Sequence, residues 1–167
     1  MSDTFTIGVI SDTHIPDRVR EIPKKAFEAL VKMDLVIHAG DMVAFDVLES
    51  FRKFFHKVVA VKGNMDEERL QNTLPEKEII TVEGIRIGIT HGRGPAHHIL
   101  DTIKDEFKEE RLNIIIFGHS HTPFNETIDG ILYFNPGSLT DTFYAPYNSY
   151  GVIEIKNNTI DAHIIKL

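Results

Sequence analysis

A chain of 167 residues is long enough for about one domain with a well-buried core, and 18 Lys and Arg against 25 Asp and Glu give it a net charge of −7 that argues against binding extended nucleic acids. With 42% hydrophobic and 26% charged residues it is neither an intrinsically disordered chain nor a collagen-like repeat. Zero Cys excludes disulfides, Cys-ligated zinc, iron–sulfur clusters and thiol nucleophiles, so any metal falls to His, Asp, Glu or Asn, and nine His are present.

Met1 to Thr6 lacks the basic start of a signal peptide, which gives the expectation of a cytoplasmic protein. Phe5 to Ser11 alternates and then runs apolar, and Asp34 to Ala39 and Lys57 to Val61 do the same; these read as three short buried strands. Between them, Pro23 opens a segment with Ala26, Phe27, Leu30 and Val31 on one face, and Val47, Leu48, Phe51 and Phe55 recur at helical spacing. This βαβαβ order favours a parallel sheet with helices on its faces, where ligands gather at the carboxyl ends of the strands. The second half changes character. Glu83-Gly84 and Asp129-Gly130 sit between alternating apolar runs, as two-residue hairpin turns do, and Asn157-Asn158 reads as a third. His97 to Arg111 places Ile99, Leu100, Ile103 and Phe107 at helical spacing. Asn113 to Phe117 is another buried strand, its apolar run far short of the ~18 residues of a membrane span. Two sheets with outer helices fit this order, and with no internal repeat or dividing linker residues 1–167 read as a single domain.

Asp12 and His14 follow the first predicted strand, Asp41 the second, Asn64 the third and His91 a hairpin strand; His119 and His121 follow the last of the buried runs. All are metal-ligand types. Residues two apart in an extended segment point the same way, so Asp12 with His14, and His119 with His121, are expected to converge on one site. Gly40, Gly63, Gly92 and Gly118 stand beside them, and glycine permits the close backbone approach that a cluster built from several strand ends needs. Seven candidates exceed what one ion uses. Two ions sharing a bridging carboxylate need about this number, and ions ~3.5–4 Å apart are a usual means of hydrolysing phosphate esters.

In chain order, SDTH at Ser11 to His14, HAGD at His38 to Asp41, GNMD at Gly63 to Asp66, THG at Thr90 to Gly92, GHSHTP at Gly118 to Pro123 and NPGS at Asn135 to Ser138 give the chain its signature. With these motifs it resembles the calcineurin-like metallophosphoesterases, in particular their small single-domain phosphodiesterase branch in bacteria and archaea. The resemblance covers about the first 140 residues. It implies a four-layer α/β/β/α sandwich of two mixed sheets flanked by helices, with a dinuclear centre at the strand carboxyl ends. It further implies that Asp12, His14, Asp41 and His121 hold one ion, that Asp41, Asn64, His91 and His119 hold the other, and that Asp41 is the bridge. Two divalent ions with two carboxylates leave about +2, and a bridging hydroxide about +1, which attracts a phosphodiester anion. Mixed imidazole, carboxylate and amide ligands suit Mn, Fe, Co, Ni or Zn better than Mg or Ca, and the resemblance favours Mn or Ni.

The implied reaction is in-line attack by a hydroxide bridging the two metals, with Asp41 and Asn64 in the catalytic machinery and Asn64 stabilising charge on the equatorial oxygens. Larger phosphatases of the superfamily have His after the Asn of the GN motif, where it protonates the leaving group; here the position is Met65, which has no proton to give. A small phosphodiester is therefore the expected substrate, with a phosphomonoesterase as an alternative, and His97, His98 and Asp66 are candidate proton donors. Another alternative is a protein-interaction scaffold of the same fold, as in a subunit of the eukaryotic retromer complex, and a homo-oligomer is compatible with the resemblance. No GxGxxG follows the first strand and no GxxxxGK[ST] occurs, which sets aside a nucleotide-binding module.

Arg18, Arg93, His97 and His98 lie near the motifs and are candidate substrate contacts. His38, inside an apolar strand, reads as a hydrogen-bonded residue behind the ligands, and Asp66 as a helix cap or an orienting carboxylate. Asn135 and Gly137 of NPGS are expected to shape the metal loops without binding metal. His56 and His163 read as surface or packing residues, and Tyr144, Tyr147 and Tyr150 as candidates for a substrate or dimer surface.

Overall fold

Apolar alternation resolves into two sheets in the computed structural model, which describes residues 4–167. Strand β1 (Phe5–Ile10) leads through α1 (Lys24–Leu30) to β2 (Leu35–His38), then through α2 (Phe45–Phe54) to β3 (Val58–Ala60). These three strands pair in parallel. After α3 (Glu68–Thr73) come the hairpin β4 (Lys77–Val82) and β5 (Ile85–Thr90), a 3-10 turn (Ala96–His98), α4 (Ile99–Glu106) and β6 (Ile114–Ile116). Two more hairpins follow, β7 (Phe124–Ile128) with β8 (Ile131–Asn135), and β9 (Ser149–Lys156) with β10 (Thr159–Lys166). The first sheet has the order β10-β9-β1-β2-β3 and the second β4-β5-β6-β8-β7. Both are mixed, because β9 returns antiparallel to β1 while β5, β6 and β8 lie parallel.

Strand alternation assigns each apolar side chain to a layer. Ile7 and Val9, Leu35 and Ile37, and Ile153 and Ile155 of the first sheet meet Ile87 and Ile89, Ile114 and Ile116, and Phe134 of the second in one buried cluster. On the outer face of the first sheet, Ile10 and Val36 pack with Ala26 and Leu30 of α1 and with Leu48 and Phe51 of α2. On the outer face of the second, Ile115 and Tyr133 pack with Ile99 and Ile103 of α4. The four layers α/β/β/α follow from these three interfaces, in which burying one such side chain contributes about 1.5–3 kcal/mol. All three hairpin turns stand where the sequence put them, with left-handed pairs at Glu83-Gly84, Asp129-Gly130 and Asn157-Asn158, as primed turns require.

Three local expectations change. The helix expected over His97 to Arg111 is a 3-10 turn and a shorter α4, and after Phe107 the chain turns so that Phe107 and Leu112 both press on Gly88, where a Cβ would lie 2.6 Å from Leu112 Cδ1. Val31 sits at the C-terminal cap of α1 and is exposed, not part of its apolar face. Tyr150 is buried in the core and is no part of a surface, while Tyr147 lies under Lys166. Among the described residues, no helix is long and apolar enough to cross a membrane.

Candidate metal centre

The parallel strands β1, β2 and β3 end at one edge of the first sheet, and the loops after them carry Asp12, His14, Asp41 and Asn64; loops after β5 and β6 of the second sheet bring His91, His119 and His121 to the same place. The seven predicted ligands do come together, but not through extended backbone. Asp12 (φ 52°), His14 (44°), Asp41 (57°), His119 (67°) and His121 (56°) are all left-handed. Each such residue costs about 1–3 kcal/mol, which the surrounding contacts must offset. The amide of Asp12 donates to the Gly40 carbonyl (3.0 Å) and that of His14 to the Asp41 carbonyl (3.1 Å), so the first two loops brace each other. Gly63 is required here, because a Cβ at that position would collide with the carboxylate and amide of Asp41.

The donor atoms form two overlapping groups, Asp12 with His14 and His121, and Asp12 with Asp41 and His91. Asp41 Oδ2 lies 3.8 Å from His14 Nε2 and 3.4 Å from His91 Nε2, and Asp12 Oδ1 lies 3.2 Å from His121 Nε2 and 4.0 Å from both His14 Nε2 and His91 Nε2. Asn64 Oδ1 stands 3.1 Å from His91 Nε2 and 3.2 Å from His119 Nδ1. Two of these atoms, Asp12 Oδ1 and His14 Nε2, are buried without a hydrogen-bond partner. Buried polar atoms are nearly always satisfied, so this unsatisfied pair, facing other ligand types, fits a bound cation.

The rings are turned for that purpose. His91 Nδ1 donates to the Ala39 carbonyl (2.7 Å), His119 Nε2 to the Gly94 carbonyl (2.9 Å) and His121 Nδ1 to Asp141, which leaves the other nitrogen of each facing the cluster. Burial pushes Asp12 upward, but His121, His91 and the Ser11 hydroxyl outweigh it and hold the carboxyl at about 2. Burial pulls His91 down, yet its bond to Asp41 and the charge of Asp12 win and raise it to about 9. His121 is raised by Asp12 and Asp141 against its burial, whereas burial lowers His14. Without a bound cation, a protonated His91 would offset part of the carboxylate charge.

Behind the cluster, His38 is fully buried, accepts from the Gly40 amide at Nδ1 (3.2 Å) and therefore donates from Nε2 to Thr13 Oγ1 (2.9 Å); burial lowers it to about 3, so it is neutral. Asp66 accepts from the amides of Val43 (2.6 Å) and Gly63 (2.7 Å), tying the Asp41 loop to the Asn64 loop, and does not cap α3. Asn135 donates to the Gly118 carbonyl (2.9 Å) and accepts from the Gly137 amide (2.9 Å), and Ser138 donates to the Asp12 carbonyl (2.8 Å). Arg18 is paired with Asp141 (2.6 Å). Arg93 lines a cleft of about 310 Å³ with Asn64 and His91 and reaches Glu76 (3.7 Å). His97 and His98 are exposed on the 3-10 turn, with His98 beside Asp101. His163 is exposed beside Asp161, and His56 is exposed just beyond α2. A larger cavity, about 550 Å³, is lined by Ile15, Phe27, Phe51 and Phe54 and holds none of the seven donors.

Asp141 is the residue sequence reading missed. It is buried, bonds His121 and Arg18 with its two oxygens, and accepts the amides of Phe143 and Tyr144. Its only signal in the chain is an Asp following Ser138, Leu139 and Thr140, which is indistinguishable from an ordinary turn.

Residues 5–158 match the profile of the calcineurin-like phosphoesterase superfamily domain. The chain is 44% identical over 147 residues to a probable metallophosphoesterase of Methanocaldococcus jannaschii, covering 84% of this chain and 71% of that protein. It is 30% identical over 144 residues to a phosphodiesterase of the same organism, covering 78% and 82%. Among solved structures, Vps29 of Chaetomium thermophilum superposes with a TM-score of 0.81 at 23% identity over 98% of this chain and 97% of that one, a likeness of fold.

Proposed function

The chain belongs to the calcineurin-like phosphoesterase superfamily and is a phosphoesterase hydrolase; from that premise we propose that residues 1–167 form one metallophosphoesterase domain that hydrolyses a small phosphodiester with two divalent transition-metal ions. The observation that carries this reading is the convergence of seven donor side chains, two of whose atoms, Asp12 Oδ1 and His14 Nε2, are buried without a hydrogen-bond partner. Asp12, His14, Asp41 and His121 would hold one ion and Asp41, Asn64, His91 and His119 the other. Imidazole nitrogens mixed with carboxylate and amide oxygens support manganese or nickel over magnesium or calcium. When bound, such an ion pair acidifies water and draws in the charge of the phosphate.

The protein's own groups do the rest. Asn64 turns its oxygen toward His91 and His119, which leaves its amide nitrogen to donate to an equatorial phosphoryl oxygen. Arg93, at the mouth of the cleft beside Asn64, is our candidate contact for the phosphate. Met65 offers no proton to a leaving group, and Asp66 is committed to two backbone amides. Diesters whose leaving group needs little protonation are therefore preferred to monoesters. The named phosphodiesterase relative supports the same choice. A cytoplasmic location and a homo-oligomer complete the reading, to be checked by fractionation and light scattering.

The test is hydrolysis of a chromogenic phosphodiester and its matched monoester by chelator-stripped protein after adding Mn, Ni, Co, Zn or Mg, with Asp41→Ala alongside. Turnover should be metal-dependent, faster on the diester and lost in Asp41→Ala. A faster monoester would replace the diester reading, and no turnover with any metal would favour the scaffold alternative.

A further inference from the structure

Large apolar side chains exposed to water are few among the described residues: Val31, Phe54, Met65, Phe143 and Tyr144. Three of the five border the metal centre. Met65 follows Asn64 and donates its amide to Asp41 Oδ1 (2.8 Å), while the Tyr144 ring meets His121 edge-on with centroids 6.2 Å apart. Phe143 packs edge-to-face on Tyr144 at 4.9 Å, and the two remain 82% and 68% exposed. Loop disorder does not account for their position. Asp141 accepts both of their amides, Asn148 donates to the Leu139 carbonyl (2.9 Å), and the Ser149 amide donates to the Ser138 carbonyl (3.0 Å), which pinches the loop shut below the rings. Arg18 lies 5.8 Å from the Tyr144 ring with its charge already paired to Asp141.

An anchored, uncharged aromatic face beside a phosphate-seeking centre suits a flat, neutral group better than a second phosphate or a bare sugar. We propose that Phe143 and Tyr144 form the docking face for a planar aromatic arm, nucleobase or aryl, carried on one ester oxygen of the phosphodiester. This rests on the phosphoesterase reading of the metal centre and adds the identity of the arm. Stacking uses the ring face of Tyr144, so its hydroxyl is dispensable.

The experiment is calorimetric titration of the manganese-loaded protein with adenosine 5′-monophosphate, phenyl phosphate and ribose 5-phosphate, which share the phosphate and differ in the arm. The two aromatic compounds should bind about tenfold or more tightly than ribose 5-phosphate, the advantage stacking confers on a base. The advantage should vanish in Tyr144→Ala, survive in Tyr144→Phe, and be untouched by Phe54→Ala, which removes an exposed ring elsewhere. With no Trp and four Tyr in the chain, intrinsic emission reports the rings, and adenosine 5′-monophosphate should quench it less in Tyr144→Phe than in the native protein. Equal affinity for all three compounds, or an aromatic preference that persists in Tyr144→Ala, overturns the proposal while leaving the phosphoesterase reading standing. A change of sedimentation in Tyr144→Ala assigns the rings to contact between copies and overturns it too. Failure of all three compounds to bind overturns the docking proposal, while the phosphoesterase reading is decided by metal-dependent turnover of the chromogenic diester.

Discussion

At the residue scale, three of the four imidazoles at the site, those of His91, His119 and His121, have their outer nitrogen tied to a fixed acceptor. Two of those acceptors are backbone carbonyls, Ala39 and Gly94; the third is the side chain of Asp141, and so it can be removed by substitution. Asp141→Ala should weaken metal binding about 10–100-fold, the usual effect of deleting the partner of a ligating His, with Asp141→Asn intermediate because its oxygen still accepts the ring N–H. Calorimetric titration of metal into stripped protein measures this apart from activity. The seven donors were legible because each is a costly polar residue at the end of an apolar run. Asp141 was not, since its role depends on His121, 20 residues earlier in the chain, and nothing local distinguishes it from a turn carboxylate.

At the element scale, the strands and all three hairpin turns could be read from alternation and from the Gly and Asn that tolerate left-handed backbone. The loops that carry the candidate ligands could not. Their conformation puts Asp and His where φ is positive, against local preference, and the offsetting contacts come from distant segments: Gly40 to Asp12, Ser138 to Asp12, and Asp66 to Val43. The end of α4 was misjudged too, because no breaker in the sequence marks it; Phe107 at its C-terminal cap and Leu112 beyond it both press on Gly88. Gly63→Ala should test how tightly the loops interlock. The added methyl meets Asp41, so we expect a loss of about 1–3 kcal/mol by denaturant unfolding, together with weakened metal binding. An unchanged midpoint would mean that the loop can give way.

At the scale of the whole molecule, the metal-free protein should be sensitive to alkali. His91 is raised to about 9 in the folded state from 6.5, so it adds stability fully present below pH 6.5 and lost as pH rises to about 9; His121 shifts in the same direction. His38 and His14 are lowered and neutral in both states above pH 6.5, so they leave this window to the other two. Stripped protein should therefore lose on the order of 3 kcal/mol between pH 6.5 and 9 by denaturant unfolding. Metal taking the place of those protons should flatten the loss and release protons on binding, which calorimetry in buffers of different ionisation enthalpy detects. Metal at about 100 times its dissociation constant should add about 2.7 kcal/mol of stability.

The division of the donors between the two sheets has a mechanical consequence. Asp12, His14, Asp41 and Asn64 leave strands of one layer and His91, His119 and His121 leave strands of the other, so an ion among them would act as a rivet through two plates. Pulled apart, the plates would yield first away from that edge, where apolar contact and a hydrogen bond from Asn125 to the Ala162 carbonyl join them, and would gape from that side like a book held at its spine.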